Sequence, residues 1–552
     1  MERQYIGARY VPKFSDPIEW NKALSYEAMT IATYLGNSFT SKKPVPAGID
    51  ITNTDYWVNT GNYNAQVEQY RREVATIKGQ FQSVKDYGAV GDGVTDDTAA
   101  FRAALSDGNK RIYIPEGSYK ITGTVELFSN TTIICRGSVT HRVNAGNWSA
   151  TFEAHNKENI KIVGLKMVGT GAVSGEPVYS CMVYFDGCDN VSCVDCIFLD
   201  NQSADCVCFN DTDNVRVEGC YIDQYSRIGI ECVGNTNDVY IVNNTVLDCI
   251  NTVTPNTYGI SLSGYRTALT TGAPMPKNLN ALFNYVKDEI PHWEGIEAHG
   301  GDGIKIIGNT VIGTHSGINL NSSTGNNYNC YNSIVSNNYI ELGTNTAYAR
   351  QIQNLCIAVS GDNVIVTGNV CKNGGVLNAS LGNVDDVSSF YCVNVKGGVF
   401  ADNTLTNAKG NIFDIRNCTG LDIKNNHFDS CEGFNGTNAN WVFYLHGSNT
   451  NGVIIANDNT ATNLTNMKFA YYSDANQPNS YINLLRNNFE GVEYITQSNL
   501  IMPMESVSSL TMGRVGDILI RSKPVAGSPL GWVCTKDWVN GAGGVWTALP
   551  NL

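Results

Sequence analysis

Residues 303–313 read GIKIIGNTVIG. Apolar residues alternate with polar ones, a residue that tolerates a left-handed bend follows, then an Asn, then a second apolar alternation. The same phrase recurs as NIKIVGLKMVG from Asn159, NVSCVDCIFLD from Asn190, NVRVEGCYIDQ from Asn214 and DVYIVNNTVLD from Asp238. It continues as NSIVSNNYIEL from Asn332, NVIVTGNVCKN from Asn363, GVFADNTLTN from Gly398, GLDIKNNHFDS from Gly420, GVIIANDNTATN from Gly452 and YINLLRNNFEG from Tyr481. Most copies start about 22 to 35 residues apart, the spacing of a solenoid whose every turn is one copy.

The bend position reads Gly164, Asp195, Gly219, Asn243, Gly308, Asn337, Gly368, Asp402, Asn425, Asp458 and Asn487. Gly, Asn and Asp are the residues that accept positive φ. The next position reads Leu165, Cys196, Cys220, Asn244, Asn309, Asn338, Asn369, Asn403, Asn426, Asn459 and Asn488. Stacked about 4.8 Å apart, such Asn side chains can hydrogen-bond along a column. The alternative is a run of separate hairpins with Asn-Gly-type turns, which gives no reason for Asn to keep register over so many copies.

With 552 residues, 54 Gly and only 16% charged residues, the chain has the length and composition for a long solenoid. A net charge of −14 argues against a sequence-independent grip on nucleic acid. Eight Trp and 28 Tyr make sugar-stacking chemistry available. The 17 Cys sit mostly at alternating strand positions, as small buried hydrophobes of a chain folded in a reducing compartment. No apolar signal region follows Met1, and no stretch reaches membrane-spanning length.

Four regions follow. Residues 1–60 carry Trp20, Tyr26, Tyr34, Phe39 and Trp57 and read as a small β unit, an attachment or carbohydrate-binding-like module. In 61–80, Tyr63, Val67, Tyr70, Val74 and Ile77 form a heptad seam, read as a trimer neck or as a helix docked on its own chain. Residues 81–500 hold the repeats, with a side flap at 265–294 whose Leu279, Leu282, Phe283 and Val286 have helical spacing over 278–290. Residues 506–552 read as a second small β unit, in which Trp532, Trp538 and Trp546 form either a core or a sugar platform.

The segment FQSVKDYGAVGDGVTDDTAAFRAAL from Phe81 precedes RIYIPEGSYKI from Arg111. Thr95 is the expected helix N-cap, with Asp96 and Asp97 in the first turn. This pair of segments resembles the opening of right-handed parallel β-helix proteins of the pectin-lyase-like superfamily. The resemblance covers about 81–488 and implies an all-β solenoid whose open end is capped by the short helix. Taken with YIGARYVP near the N-terminus and the C-terminal unit, the chain resembles phage tailspike or appendage proteins. That implies a homotrimer on the virion, made in the host cytoplasm and acting outside the cell. Its partners would be a host cell-surface polysaccharide, such as capsule or teichoic acid, and phage attachment proteins. A non-catalytic adhesin and a polysaccharide lyase are the alternatives to a hydrolytic depolymerase.

One strand aligns through GIECVG from Gly229, GISLSG from Gly259, GIEAHG from Gly295 and GINLNS from Gly317. Alternation sends Glu231, Ser261, Glu297 and Asn319 outward in one column, beside Val233, Ser263, His299 and Asn321. The leading glycines are expected to leave that face open to a glycan. Glu231 and Glu297 stand two turns apart, about 9.6 Å between backbones. Carboxyls at about 6.5–9.5 Å suit an inverting glycosidase. Glu297, Glu231 and His299 are thus the candidate catalytic residues. Ser261, Ser263, Asn319, Asn321, His292 and Glu294 are the candidate substrate contacts, the last two at the flap's return. No metal or other cofactor is implied.

Overall fold

The computed structural model describes residues 18–61, 69–70, 72–73, 81–142, 149–170, 180–201, 205–250, 257–263, 275–289, 293–321, 329–343, 354–375, 387–433, 441–446, 453–467, 481–485, 487–490, 501–503, 518–520, 529, 531–536 and 545–550. The chain divides into two compact units, Met1–Gln82 and Ser83–Leu552.

In the smaller unit, strands Ile18–Glu19, Ile31–Tyr34, Asn37–Ser41 and Trp57–Gly61 form one sheet. Its core is Tyr26, Ala32, Val45, Ile51 and Trp57, with the Tyr26 and Trp57 rings edge to face at 5.2 Å. Trp57 is therefore core here. Most of the heptad seam lies outside the described residues. Gln69, Tyr70, Arg72 and Glu73 are helical, and Gln69 Nε2 donates to Glu73 Oε1 at 2.9 Å.

The larger unit winds through three parallel sheets of fifteen, fifteen and twelve strands, each ordered along the chain. It is a right-handed parallel β-helix. One rung contributes a strand to the first, second and third sheet in turn: Asn237–Val242, Thr245–Leu247 and Tyr258–Ser263 make such a rung. Each sheet turns one side chain in two toward a continuous apolar core, which explains the alternation in every copy. No helix among the described residues is long and apolar enough to cross a membrane.

The bend between first and second sheet adopts positive φ at Asn243 (55°), Gly308 (68°), Asn337 (55°), Gly368 (66°), Asp402 (57°), Asn425 (53°) and Asp458 (55°). The residue after it points inward. Asn244, Asn284, Asn309, Asn338, Asn369, Asn403, Asn426 and Asn459 are all buried. Each Oδ1 beyond the first accepts the backbone N–H and the Nδ2 of the Asn one rung earlier, at 2.8–3.0 Å. Each Nδ2 also donates to a main-chain carbonyl of the preceding rung, as Asn338 does to Ile306 O at 2.9 Å. Both lone-pair sites and both amide protons are used, so these buried amides carry no desolvation deficit.

Three expectations need correction here. Segment 278–290 is no helix: Leu279–Leu282 and Tyr285–Lys287 are strands of an ordinary rung, paired with neighbours on both sides. Asn284 is its ladder residue, and Phe283 takes the bend at φ 56°. Apolar residues at 279, 282 and 286 satisfy helix spacing by coincidence, because an inward strand position and the corner fall at those intervals. At the far end the ladder residue is Asn487, which accepts from Asn459 N and Nδ2 at 3.0 and 2.9 Å, and not Asn488.

The cap helix spans Thr98–Leu105, with Asp97 at the N-cap, two residues later than a Thr95 cap would give. Asp92 takes the N–H groups of Val94 and Thr95, Asp96 that of Thr98, and Asp97 those of Val90 and Gly91. With Asp92 holding Thr95 in the preceding turn, the helix cannot start there.

Near the C-terminus, Ile501–Pro503, Ile518–Ile520, Gly531–Lys536 and Val545–Ala548 form a four-stranded sheet in which Trp532 is half-buried. Trp538 and the Trp546 side chain lie outside the described residues.

Candidate functional site

In the third sheet, strands Ile228–Val233, Tyr258–Ser263, Glu294–His299 and Ser316–Asn321 lie side by side. Their register places Glu231 opposite Ser261, Ser261 opposite Glu297, and Glu297 opposite Asn319. Ile230, Ile260, Ile296 and Ile318 fill the core on the other side.

The leading glycines serve the core, not an open outer face. A Cβ on Gly295 would lie 2.3 Å from Val311 Cγ1 and 2.9 Å from the Gly317 carbonyl oxygen, and Gly229, Gly259 and Gly317 are equally confined. These residues sit at the corner where second-sheet side chains press against the third-sheet backbone.

The outward column is also not solvated. Glu231 is 3% exposed, Ser261 1%, Glu297 1% and Asn319 2%. Glu294, at 5%, shares the site. Ser261 Oγ donates to Glu297 Oε1, and Asn319 Nδ2 donates to Glu294 Oε1. Trp293 Nε1 donates to the same Glu294 oxygen at 2.6 Å. His299 Nε2 stands 3.2 Å from Glu297 Oε2. The His299 side chain, 24% exposed, is the part of the cluster that reaches solvent. Tyr258 meets the His299 ring edge-on at 6.4 Å.

Burial dominates the titration of these groups. It pushes Glu297 up to about 8, against the opposing bond from Ser261. It pushes Glu294 up to about 7, reinforced by the Glu297 charge. It lowers His299, against the attraction of Glu294. Near neutrality the Glu297–His299 contact is therefore between neutral groups, with the proton on the carboxyl. Buried carboxyls side by side cannot both ionise cheaply. Glu294 Oε2 and Asn319 Oδ1 have no hydrogen-bond partner among the described residues. One donor atom each of Glu294, Glu297 and His299 lie within 4.8 Å of one another, a set that could also hold a cation.

Glu231 belongs to a neighbouring network. Arg227 Nη2 stands 3.4 Å from Glu231 Oε1, Arg227 Nη1 3.1 Å from Asp205 Oδ2, and Cys208 Sγ 3.1 Å from Glu231 Oε2. Asn321 is half-buried and opposite His299. Ser263 pairs with Val233 through its backbone, its side chain outside the described residues, and His292 lies outside them altogether.

The structure thus gathers Glu297, His299, Ser261, Asn319 and Glu294. The intimate partner of Glu297 is Glu294, which sequence reading placed only as a closing contact. Simple alternation hides the pairing: residues three apart should face opposite ways, and the glycine corner at Gly295 brings them together. A second group was missed outright. Glu153–Ala154–His155 repeats the Glu-Ala-His of 297–299, and the register runs from Glu153 through Tyr184, Cys208, Glu231 and Ser261 to Glu297 in one column. His155 Nδ1 is 3.1 Å from Asp186 Oδ2, and Nε2 is 3.8 Å from Glu153 Oε1. The repeated tripeptide was the available signal.

Residues 81–271 match the family model described as rhamnogalacturonase A/epimerase, pectate lyase-like. Over 55 residues the chain is 47% identical to the pre-neck appendage protein of Bacillus phage B103, covering 10% of this chain and 6% of that protein. Over 68 residues it is 43% identical to mannuronan C5-epimerase AlgE2 of Azotobacter vinelandii, covering 12% and 7% respectively. The matched stretches span under a tenth of these curated relatives. The solved structure of the pre-mature bacteriophage phi29 gene product 12 shares the fold, with TM-score 0.51 and 17% identity over 80% of this chain and 62% of that one.

Proposed function

We propose that this chain, built on a pectate-lyase-like parallel β-helix, is a phage tailspike or appendage protein that binds and depolymerises a host surface polysaccharide, with Glu297 as the proton donor. The observation that carries the reading is the buried Glu294–Glu297 pair, turned away from the apolar core and left with a carboxylate oxygen that has no partner among the described residues. Burying two carboxyls is costly, and most buried polar groups that serve structure alone are hydrogen-bonded.

A protonated Glu297 near pH 7 can hand its proton to a glycosidic oxygen, the step that needs a carboxylic acid with a raised pKa. A second carboxylate then acts on the sugar carbon or on a water. Glu294, with a carboxylate oxygen within 4.8 Å of one of Glu297, fits direct attack in a retaining reaction. Glu231, two rungs away, fits activation of a water in an inverting one. Ser261 orients the acid, and Asn319, Asn321 and His299 line the approach. Ser263, His292 and Tyr258 complete the contacts. The protein works as a homotrimer on the virion, with the heptad segment as neck, after synthesis in the host cytoplasm. A lyase is the second reading, favoured by one observation: burial lowers His299, so a neutral imidazole is available as base beside the carboxyls.

The test uses purified host capsule and teichoic acid and follows release of new chain ends. Wild type should shorten one of them, and Glu297→Gln should stop cleavage while keeping binding. Inversion or retention at the new end separates Glu231 from Glu294 as partner, and an unsaturated, ultraviolet-absorbing product would assign the lyase. Binding without any cleavage by wild type would make the protein an adhesin and end the catalytic reading.

A further inference from the structure

Among the described residues sixteen cysteines are free and buried. Fourteen line the main apolar core of the solenoid, where a thiol serves as a small hydrophobe. Cys181 and Cys208 do not. They lie in a separate cluster with Ala150, Tyr184 and Val233, which shares no residue with that core. Cys208 stands in the outward column, since it pairs in register with Tyr184 and Glu231.

These two thiols meet a carboxylate. One donor atom each of Cys181, Asp205 and Cys208 lie within 4.8 Å of one another, and all three residues are buried. Cys181 Sγ is 3.9 Å from Asp205 Oδ2, and Cys208 Sγ is 3.1 Å from Glu231 Oε2. Asp205 and Cys208 hold the same two register positions on their strand as Glu294 and Glu297 hold on theirs. The same three-residue step around the corner therefore turns both pairs to a common point. Arg227 takes Glu231 by Oε1, which leaves Oε2 directed at Cys208.

We propose that Cys181, Cys208, Asp205 and Glu231 form a zinc site that staples three successive rungs of the third sheet. Bonds of about 2.3 Å to sulfur and about 2.1 Å to oxygen set ligand atoms roughly 3.4–3.8 Å apart around a tetrahedron. The Cys208–Glu231 and Cys181–Asp205 separations, 3.1 and 3.9 Å, fall on either side of that range, and rotation of the Glu231 side chain would bring its carboxylate to the other three as the fourth ligand. Two thiolates with two carboxylates select zinc over calcium or magnesium, which prefer all-oxygen shells. Zinc entry releases the two thiol protons, so the cluster's net charge is the same before and after. Arg227 stays outside the shell as the donor that orients both carboxylates. All four ligands come from neighbouring strands, so the ion adds a cross-link between rungs to the main-chain ladder and the Arg227–Asp205 contact. The site shares Glu231 with the inverting alternative for the glycan chemistry, and a zinc held there leaves Glu294 as the partner of Glu297.

The full-length protein, purified without chelator and under reducing conditions, is assayed for zinc by mass spectrometry. One zinc per chain is expected, and stripping it should lower the Tm. Cobalt added to the stripped wild type should give the near-ultraviolet band of a thiolate–cobalt bond. Cys181→Ser and Cys208→Ser should lose the ion and the band, while the core variant Cys392→Ala keeps both. Folded wild type that takes up neither zinc nor cobalt overturns the proposal, as does undiminished binding by Cys208→Ser. The cobalt band of wild type decides the matter even if a variant fails to fold.

Discussion

Two of the places where the solenoid buries polar side chains are treated differently. In the Asn ladder every amide proton and every oxygen is used, rung after rung. At the Glu294–Glu297 cluster the side chains are equally buried, yet Glu294 Oε2 and Asn319 Oδ1 lack partners among the described residues and the carboxyls hold protons they would lose in water. Satisfied burial fixes geometry. Unsatisfied burial stores reactivity, because a group short of partners is ready for one that arrives. The two regions should therefore respond in opposite senses when their polar groups are removed.

The sharpest break is at the acid. Glu297→Gln keeps the size and the bond from Ser261 but removes the transferable proton. Cleavage should fall by about 10²–10⁴-fold, the usual contribution of a positioned acid, while the protein stays folded. An activity loss below tenfold would return Glu297 to a structural role.

The ladder should break the other way, in stability alone. Asn338→Leu removes the acceptor of Asn309 N and Nδ2 and the donor to Ile306 O. Each orphaned group costs about 1–3 kcal/mol. Denaturant melts should register that loss with cleavage per folded molecule unchanged. A neutral substitution would mean that water replaces the amide and that the ladder is not needed.

A pH series separates the regions without mutation. Glu297 at about 8, Glu294 at about 7 and the buried Asp288 at about 7 all stand above their unfolded values of 4.5 and 3.8. Between roughly pH 4 and 8 the folded state binds more protons than the unfolded one, so stability falls as pH rises through that window. The effect is on the order of a few kcal/mol, since a tenfold difference in proton affinity between the two states is worth about 1.4 kcal/mol. Tm should drop between pH 5 and pH 8.5, and Glu297→Gln should flatten part of that drop. An unchanged slope in the variant would place the titration elsewhere.

The same contrast governs what could be read from sequence. The ladder was legible because each rung repeats one solution, a left-handed bend followed by Asn, and repetition is what pattern reading detects. The outward column and its register were legible through strand alternation and the aligned glycines. The Glu294–Glu297 pairing was not, because it depends on a corner that breaks alternation within four residues. Nor was the depth of burial, which arises from how the site is covered and leaves no periodic trace. The Cys181–Asp205 contact was hidden for the same reason as the carboxyl pair.

One rung escaped the pattern although it obeys the fold, and it gives the smallest test. Phe283 stands in the left-handed bend at φ 56° where its neighbours above and below are Asn243 and Gly308. A bulky residue pays about 1–2 kcal/mol there. Its ring is 59% exposed, so little burial offsets that cost. The ring does lie over Gly308, where an added Cβ would come 2.5 Å from Phe283 Cδ1. Two effects compete: relief of backbone strain, and loss of a ring packed on a bare glycine. Asn in this bend is the residue the chain itself uses at 243, 337 and 425, and the exposed ring retains little hydrophobic gain. Phe283→Asn should therefore stabilise by about 0.5–1 kcal/mol, a part of the left-handed cost since Asn tolerates that conformation, and leave Asn284 in the ladder. A fall in Tm would show that the ring on Gly308 outweighs the strain, and that this rung departs from the pattern for a packing reason.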